Sequence, residues 1–467
     1  MGCVQGFFAL LSLYLFNDNV APDFKIGAEI YLAIAIALFL NCRHFNQKRL
    51  SYRDAFLFAV FTWTSLGLMG SLPIVRITHV SFTDGVFESI SALTTTGATV
   101  LSGLDSMPKT FLMYRQFLQW MGGLGVVIFV VAVLPMLNVG GMVLLKAETP
   151  GPMKDEKLAP RISKTAHILW VVYLVITLLC ILCYYLAGMN LYEAVAHSLT
   201  TVSTGGFSTH DASLGYFDSS AIYWVANIFM VLGAVNFALH FRVASRRDLT
   251  LYLRDEETRW FLIIILEMSA AIAWLLLHNN HYDHHLNALN ESLFIVISFI
   301  TSTGYGAFGM AEWPSMALVM LVIAGYMGGC AGSTAGGNKI IRLVLAVKVV
   351  MMEFKQLLHP RSVLLTKYHQ QPVEGGVLSA TMAYFAIVGV CSAIMVVLLM
   401  LTDLDFWSSL TAVAACVNVL GPAFGELGNN FQPVTDFGIW VLNVGMIMGR
   451  LEYLTLLVLL VPGFWKR

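Results

Sequence analysis

Thr94-Thr95-Thr96-Gly97, Ser203-Thr204-Gly205-Gly206 and Thr301-Ser302-Thr303-Gly304-Tyr305-Gly306 are three versions of one short loop, and Asn418-Val419-Leu420-Gly421-Pro422 is an altered fourth. Gly97, Gly205, Gly304 and Gly421 stand 108, 99 and 117 residues apart, each loop between two long apolar segments. Recurrence at a near-fixed period marks a chain built from copies of one unit. A single chain can wrap four such loops around a common axis. Four loops of exposed backbone carbonyls can then replace the hydration shell of a cation.

Composition places these loops in a membrane. The chain has 467 residues, 58% hydrophobic and only 12% charged, with a mean hydropathy of +0.74. Soluble domains carry about 25% charged residues. Apolar runs recur, as at Ile26–Leu40, Ile168–Leu186, Phe261–Leu277 and Ala383–Leu401, approaching the ~20 residues needed to cross a bilayer. The first run, Phe7–Phe16, has no basic n-region or small-residue cleavage site, so it reads as a retained helix rather than a signal peptide.

Net charge is −1, yet 22 of the 27 Lys and Arg fall in residues 43–53, 146–164, 242–259, 339–367 and the last two positions. Residues 205–217, 279–290, 304–313 and 421–436 contain none. Positive charge accumulates on the cytoplasmic side, which puts the basic segments and both termini inside and all four glycine loops outside. The seven cysteines lie in or beside apolar segments. Cys180-x-x-Cys183 falls within a helical run and reads as a pair of small hydrophobes. No disulfide framework is implied.

The resulting organisation is an all-α polytopic membrane protein. Two helices, 3–17 and 25–42, occupy an N-terminal unit of residues 1–51. Four repeats follow, at 52–160, 161–251, 252–373 and 374–467, each a long helix, a half-helix with its loop, and a second long helix. The expected half-helices are 84–96, 191–204, 289–303 and 406–419. Asp84, Glu193 and Glu291 stand near their starts, and Asp405 just before the fourth, where a helix N-terminus favours negative charge. Segments this short cannot cross ~30 Å of hydrocarbon at ~1.5 Å per residue. They must be re-entrant, with their ends in protein or water. Each then points the negative end of its dipole toward the membrane centre, a favourable place for a cation.

Two features below the loops look like a barrier. Ala324 to Asn338 carries Gly325, Gly328, Gly329, Gly332, Gly336 and Gly337 in an apolar setting. At roughly 1 kcal/mol per glycine, a continuous helix is disfavoured there. Non-helical backbone at membrane depth must be buried or line a cavity, which makes 324–338 a candidate gate; a close-packed kink is the alternative. Arg450 lies well inside the last apolar helix. A buried membrane charge is costly and usually faces a cavity; pairing with Glu452 or reaching the interface are the alternatives. Gly332-Ser-Thr-Ala-Gly-Gly337-Asn338-Lys339 is not a phosphate loop, because Asn precedes the lysine, Ile follows it and no strand leads in. The loop cluster His281-Tyr-Asp283-His284-His285 reads as solvated rather than metal-binding.

Together the four loops, with the cytoplasmic stretch Ala147–Arg161, resemble the Trk/Ktr/HKT superfamily of cation transporters over nearly the whole chain. The resemblance implies four helix–pore-loop–helix units around one pore, preceded by a two-helix unit. It implies K+ as the transported ion, held by filter carbonyls at Thr95, Thr96, Gly97, Ser203, Thr204, Gly205, Ser302, Thr303, Gly304, Val419, Leu420 and Gly421. Glycine at all four filter positions is the potassium-permeable pattern; serine at the first is linked in plant relatives to sodium. It further implies an intramembrane loop obstructing the pore with Arg450 beside it, a homodimer, a cytosolic TrkA-type nucleotide-binding ring and residence in the bacterial inner membrane. Val419 and Leu420 carry no hydroxyl, so the fourth loop offers carbonyls alone and weaker selectivity is expected.

The alternative from the residues is a proton- or sodium-coupled secondary transporter, also built from repeats and broken helices. Those folds usually pair inverted repeats, whereas these four share one topology; carboxylates such as Glu452 keep proton coupling open. An intramembrane enzyme is disfavoured, because no triad, metal-ligand spacing or aspartate dyad is present. No organic cofactor is expected.

Overall fold

In the computed structural model, the described residues are 1–43, 52–132, 158–282, 284–362, 366–368, 371–373 and 375–466. Lys48, Arg49, Asp283 and most of the Ala147–Arg161 stretch lie outside them. The first helix, Gly2–Leu11, runs into a π-helical turn at Ser12–Phe16, and a second, Ala21–Cys42, returns alongside it. Phe8 and Phe24 meet the Tyr114 ring edge-on at 5.3 and 5.1 Å, seating this pair on the first repeat.

Each of the four repeats opens with a long apolar helix: Tyr52–Thr78, Leu158–Leu186, Glu256–His278 and Gly375–Met400. Each contains a stretch long and apolar enough to cross a membrane. The half-helices are Phe82–Thr94, Leu191–Val202, His285–Ile300 and Phe406–Val417. Even the longest, at 16 residues, is too short to span a bilayer.

Capping sets where they start. Ser81, Asn190 and Asp405 accept backbone N–H groups of the first turn with their side chains, as good N-cap residues do. The third half-helix starts at His285, before the expected 289, so Glu291 sits beyond its first turn and instead accepts from the Tyr282 hydroxyl.

The second helices differ among repeats. In the first repeat Lys109–Ala132 is a single helix over the described residues. In the third, Ser315–Met327 ends at Gly328, a non-helical segment follows, and helix resumes over Ile340–Leu358. Two further breaks were not expected from sequence. Ser220–Ala234 and Phe237–Arg246 meet at 100°, and Asp436–Leu451 and the helix after Glu452 meet at 114°. Extended Val235 separates the first pair, and Asn236 caps the new helix by accepting from Ala238 N–H. Glu452, at φ 63°, makes the second corner.

The half-helices pack tightly on the second helices because glycine faces them. A Cβ on Gly122 would lie 1.8 Å from the Leu93 carbonyl oxygen, one on Gly233 2.9 Å from that of Val202, and one on Gly449 2.1 Å from that of Val417. Three repeats thus use one device at equivalent places. A Cβ on Gly389 meets nothing within 4 Å. Gly122→Ala and Gly449→Ala are expected to destabilise the detergent-solubilised protein by roughly 1–3 kcal/mol of overpacking, seen as a lower melting temperature. Gly389→Ala should leave it unchanged or raised, as read by thermal size-exclusion profiles.

Candidate ion filter and gate

The end of each half-helix turns through one residue with left-handed backbone: Thr95, Thr204, Ser302 and Val419, at φ 57°, 53°, 54° and 57°. Two residues later stands a positive-φ glycine, Gly97, Gly206, Gly304 or Gly421, at 82°, 76°, 76° and 100°. This register corrects the second loop. Its turn residue is Thr204 and its positive-φ glycine is Gly206, so the stretch equivalent to Thr95–Gly97 is Thr204–Gly206, and Ser203 matches Thr94. In Ser-Thr-Gly-Gly either glycine satisfies the pattern; only the backbone angles decide.

These glycines close a ring. An added Cβ on Gly97 would lie 2.2 Å from the Gly205 oxygen, and one on Gly206 1.8 Å from the Thr303 oxygen. One on Gly304 would lie 2.0 Å from the Leu420 oxygen, and one on Gly421 2.7 Å from the Thr96 oxygen. Each loop therefore abuts the middle carbonyl of the next, in the order one, two, three, four and back to one. All four glycines line a single cavity of about 170 Å³, together with Arg115, His210, Asp211 and Phe431.

Side chains behind the ring hold the loops, and sequence reading missed most of them. Fully buried Glu88 accepts from the Arg115 Nε at 2.8 Å, from the Thr99 hydroxyl and from Val100 N–H. Arg115 also covers the Phe207 ring at 4.0 Å, so one ion pair braces loops one and two. His197 spans from the Glu193 carbonyl to the Ser208 hydroxyl, 2.9 Å at each nitrogen. The Tyr305 hydroxyl of loop three lies 2.6 and 2.9 Å from those of Thr200 and Thr201. Thr411 receives Phe424 N–H at 3.0 Å in loop four. At the cavity rim, His210 bridges Asp105 and Glu193, stacked on Tyr216. A buried acid is recognisable in sequence, but its partner 27 residues away is not.

The glycine-rich segment lies against the opposite side of the ring. Gly336 N–H donates to the Ser302 hydroxyl, and Gly337 N–H to the Asn418 carbonyl at 3.1 Å. The Thr334 hydroxyl lies 3.2 Å from that of Thr204 and 3.1 Å from the Val202 carbonyl. Three of the four turn regions are thus engaged by one segment, while the Thr95 hydroxyl has no hydrogen-bond partner among the described residues.

The break in repeat two supplies the dock. Cys330 and Thr334 N–H groups donate to the carbonyls of Ala234 and Gly233, freed by that break, and Phe237 N–H donates to the Gly332 carbonyl. Gly328, Gly336 and Gly337 crowd together: a Cβ on Gly328 would meet the Gly336 oxygen at 2.4 Å, and one on Gly337 the Gly328 Cα at 2.5 Å. The other candidates, Gly325 and Gly329, abut Leu420 and Ala335.

Arg450, 5% exposed, donates to the Thr334 carbonyl at 2.8 Å and the Gly122 carbonyl at 3.3 Å. It does not pair with Glu452, whose carboxylate accepts from Arg342 at 2.7 Å. Among the described residues no carboxylate lies within ion-pair distance of Arg450. No group of three metal-ligating side chains occurs among the described residues either, and Asp283 of the His281–His285 cluster lies outside them.

The TrkH family, described as a cation transport protein, matches residues 22–466. The chain belongs to the TrkH family. It is 44% identical over 463 residues to the Trk system potassium uptake protein TrkH of Vibrio parahaemolyticus, covering 98% of this chain and 95% of that one. It is 42% identical, with the same coverage, to the protein of that name in Halomonas elongata. Identity to the Trk system potassium uptake protein TrkG of Escherichia coli is 37%, over 90% of this chain and 86% of that. The crystal structure of the potassium transporter TrkH from Vibrio parahaemolyticus aligns with a TM-score of 0.90 at 39% identity, over 100% of this chain and 98% of that chain. The TrkH-family chain is therefore an all-α membrane protein of four units around one axis.

The ring distances rank substitutions. Serine at Gly206 or Gly304 meets a carbonyl at 2.0 Å or less, and at Gly421 at 2.7 Å. Cation uptake is expected to fall furthest for Gly206→Ser and Gly304→Ser and least for Gly421→Ser, measured as rubidium influx at matched expression. Glu88→Ala should be as severe as the worst of these, since an unpaired buried Arg115 costs about 3–5 kcal/mol.

Proposed function

We propose that this protein takes up potassium across the bacterial inner membrane through the ring formed by the four loops. The observation that carries this reading is the cyclic contact of Gly97, Gly206, Gly304 and Gly421 with the carbonyls of Gly205, Thr303, Leu420 and Thr96. Close approach of four backbone strands without intervening side chains is what a carbonyl filter requires. The filter set is Thr95, Thr96, Gly97, Thr204, Gly205, Gly206, Ser302, Thr303, Gly304, Val419, Leu420 and Gly421, with Ser203 behind it. K+ is cargo. The relatives named as Trk system potassium uptake proteins support the choice of ion.

The segment 328–339 is the gate, and Arg450 its latch and electrostatic barrier. It fills the space beneath the ring by bonding Thr204, Ser302 and the Asn418 carbonyl. Arg450 ties Thr334 to the second helix of repeat one while placing an uncompensated positive charge on the cation's path. Opening replaces these hydrogen bonds with water and ions. The partners in this reading are a second copy of the chain and a TrkA-type nucleotide-binding ring on the basic cytoplasmic face; the name Trk system on the relatives supports a multi-component assembly.

Three experiments test the reading. In a potassium-uptake-deficient bacterium at low potassium, the chain supplied with its ring is expected to restore growth and Gly97→Ser to lose it; membrane-localised wild type without growth overturns the assignment. Arg450→Ala should raise cation flux severalfold in proteoliposomes, and unchanged single-channel conductance and uptake would remove Arg450 from the gate. Reversal potentials that follow the potassium gradient alone, with the proton gradient varied, distinguish a channel from a coupled symporter.

A further inference from the structure

Loop two is the only one with glycine at the middle position. Thr96 and Thr303 stand there in loops one and three, and their hydroxyls lie 2.7 Å from those of Thr94 and Thr301, two residues earlier. These side-chain pairs tie each loop to the end of its half-helix. Gly205 has no such side chain. The space is taken by Gln119, from the second helix of repeat one: a Cβ on Gly205 would lie 2.5 Å from the Gln119 Cδ and Oε1 and 2.9 Å from its Nε2. Gly205 itself lies outside the positive-φ region, so its backbone accepts any L-residue. The three atoms nearest to an added Cβ all belong to Gln119.

Gln119 is fully buried and its amide is satisfied at both ends. Its Nε2 donates to the Gly205 carbonyl at 2.6 Å, and its Oε1 accepts from Phe207 N–H at 3.1 Å. It therefore clamps the residues on either side of Gly206. The carbonyl it holds is the ring member that faces Gly97. A carbonyl oxygen has two lone pairs, so a hydrogen bond to one fixes its direction and leaves the other for a cation.

We propose that Gln119 is a positioning residue of the filter, a side chain borrowed from repeat one that does for loop two what Thr96 and Thr303 do within their own loops, and that it sets potassium over sodium selectivity. This rests on the filter reading above. A carbonyl free to swing can follow a smaller ion inward; a carbonyl held by Gln119 and wedged against Gly97 cannot. Gln119 touches no ion and acts through the Gly205 carbonyl alone.

The test uses the full chain in proteoliposomes, reading the K+/Na+ permeability ratio from bi-ionic reversal potentials beside potassium uptake rate and melting temperature. Gln119→Met keeps the volume and removes both hydrogen bonds; the K+/Na+ ratio should fall about tenfold, the scale of one hydrogen bond. Gly205→Thr alone should lose uptake because Gln119 fills the site. Gln119→Ala with Gly205→Thr rebuilds the pattern of loops one and three, a threonine hydroxyl two residues after that of Ser203, and should recover both uptake and ratio. A wild-type ratio in Gln119→Met, or Gly205→Thr equally active with and without Gln119, overturns the proposal while leaving the filter intact. Should Gln119→Met fail to fold, the Gly205→Thr pair decides alone. Wild type that passes no potassium sinks the filter reading instead.

Discussion

Everything in this molecule depends on four places where a Cβ atom would not fit. Gly97, Gly206, Gly304 and Gly421 each face the carbonyl oxygen of a neighbouring loop at distances that no side chain survives. Such contact is possible only if four re-entrant segments meet at a common axis with matching register. The half-helices are short because they must end there. The flanking helices are long because they must carry the chain back through the bilayer. Gly122, Gly233 and Gly449 repeat the device one layer out, bringing second helices against the half-helix carbonyls.

Fourfold backbone geometry is reached with four different sets of supports. Loop one leans on the Glu88–Arg115 pair, loop two on His197 and Gln119, loop three on Tyr305, loop four on Thr411. Fusing four units in one chain relaxes the demand for identical side chains. Backbone angles stay matched, since φ at the turn residue varies only from 53° to 57° across Thr204, Ser302, Thr95 and Val419. The ring is therefore symmetric in its backbone and asymmetric in the side chains that brace it.

Below the ring the asymmetry extends to the backbone. Among the described residues, only repeat three interrupts its second helix with a glycine-rich segment, and only there does the chain cross beneath the other loops. Its polar groups find partners in carbonyls and hydroxyls that other elements expose: Gly233 and Ala234 at a helix break, Ser302 and Asn418 at half-helix ends. A membrane interior offers no water for such groups, so the segment and the break in repeat two need each other. Arg450 is stabilised in the same manner, by carbonyl oxygens rather than by a carboxylate.

Much of this was legible in the chain. Apolar run lengths, the segregation of 22 of 27 basic residues and four glycine loops determine a polytopic helical protein with four re-entrant segments, because hydrocarbon thickness and the absence of water leave no other solution. The glycines of 325–337 marked a break in the helix by the same logic, and the structure breaks it there. Tertiary structure decided what depends on distance rather than pattern. It chose Gly206 over Gly205, since both satisfy the motif and only φ separates them. It broke the helices at Val235 and Glu452, positions held by neither Pro nor Gly; at the first, the freed carbonyls of Gly233 and Ala234 bond to the glycine-rich segment. It paired Glu452 with Arg342 and Glu88 with Arg115, and set Gln119 in the space left by a missing side chain at Gly205. Local physics is written in order along the chain; which groups meet across four repeats is decided only when the ring closes.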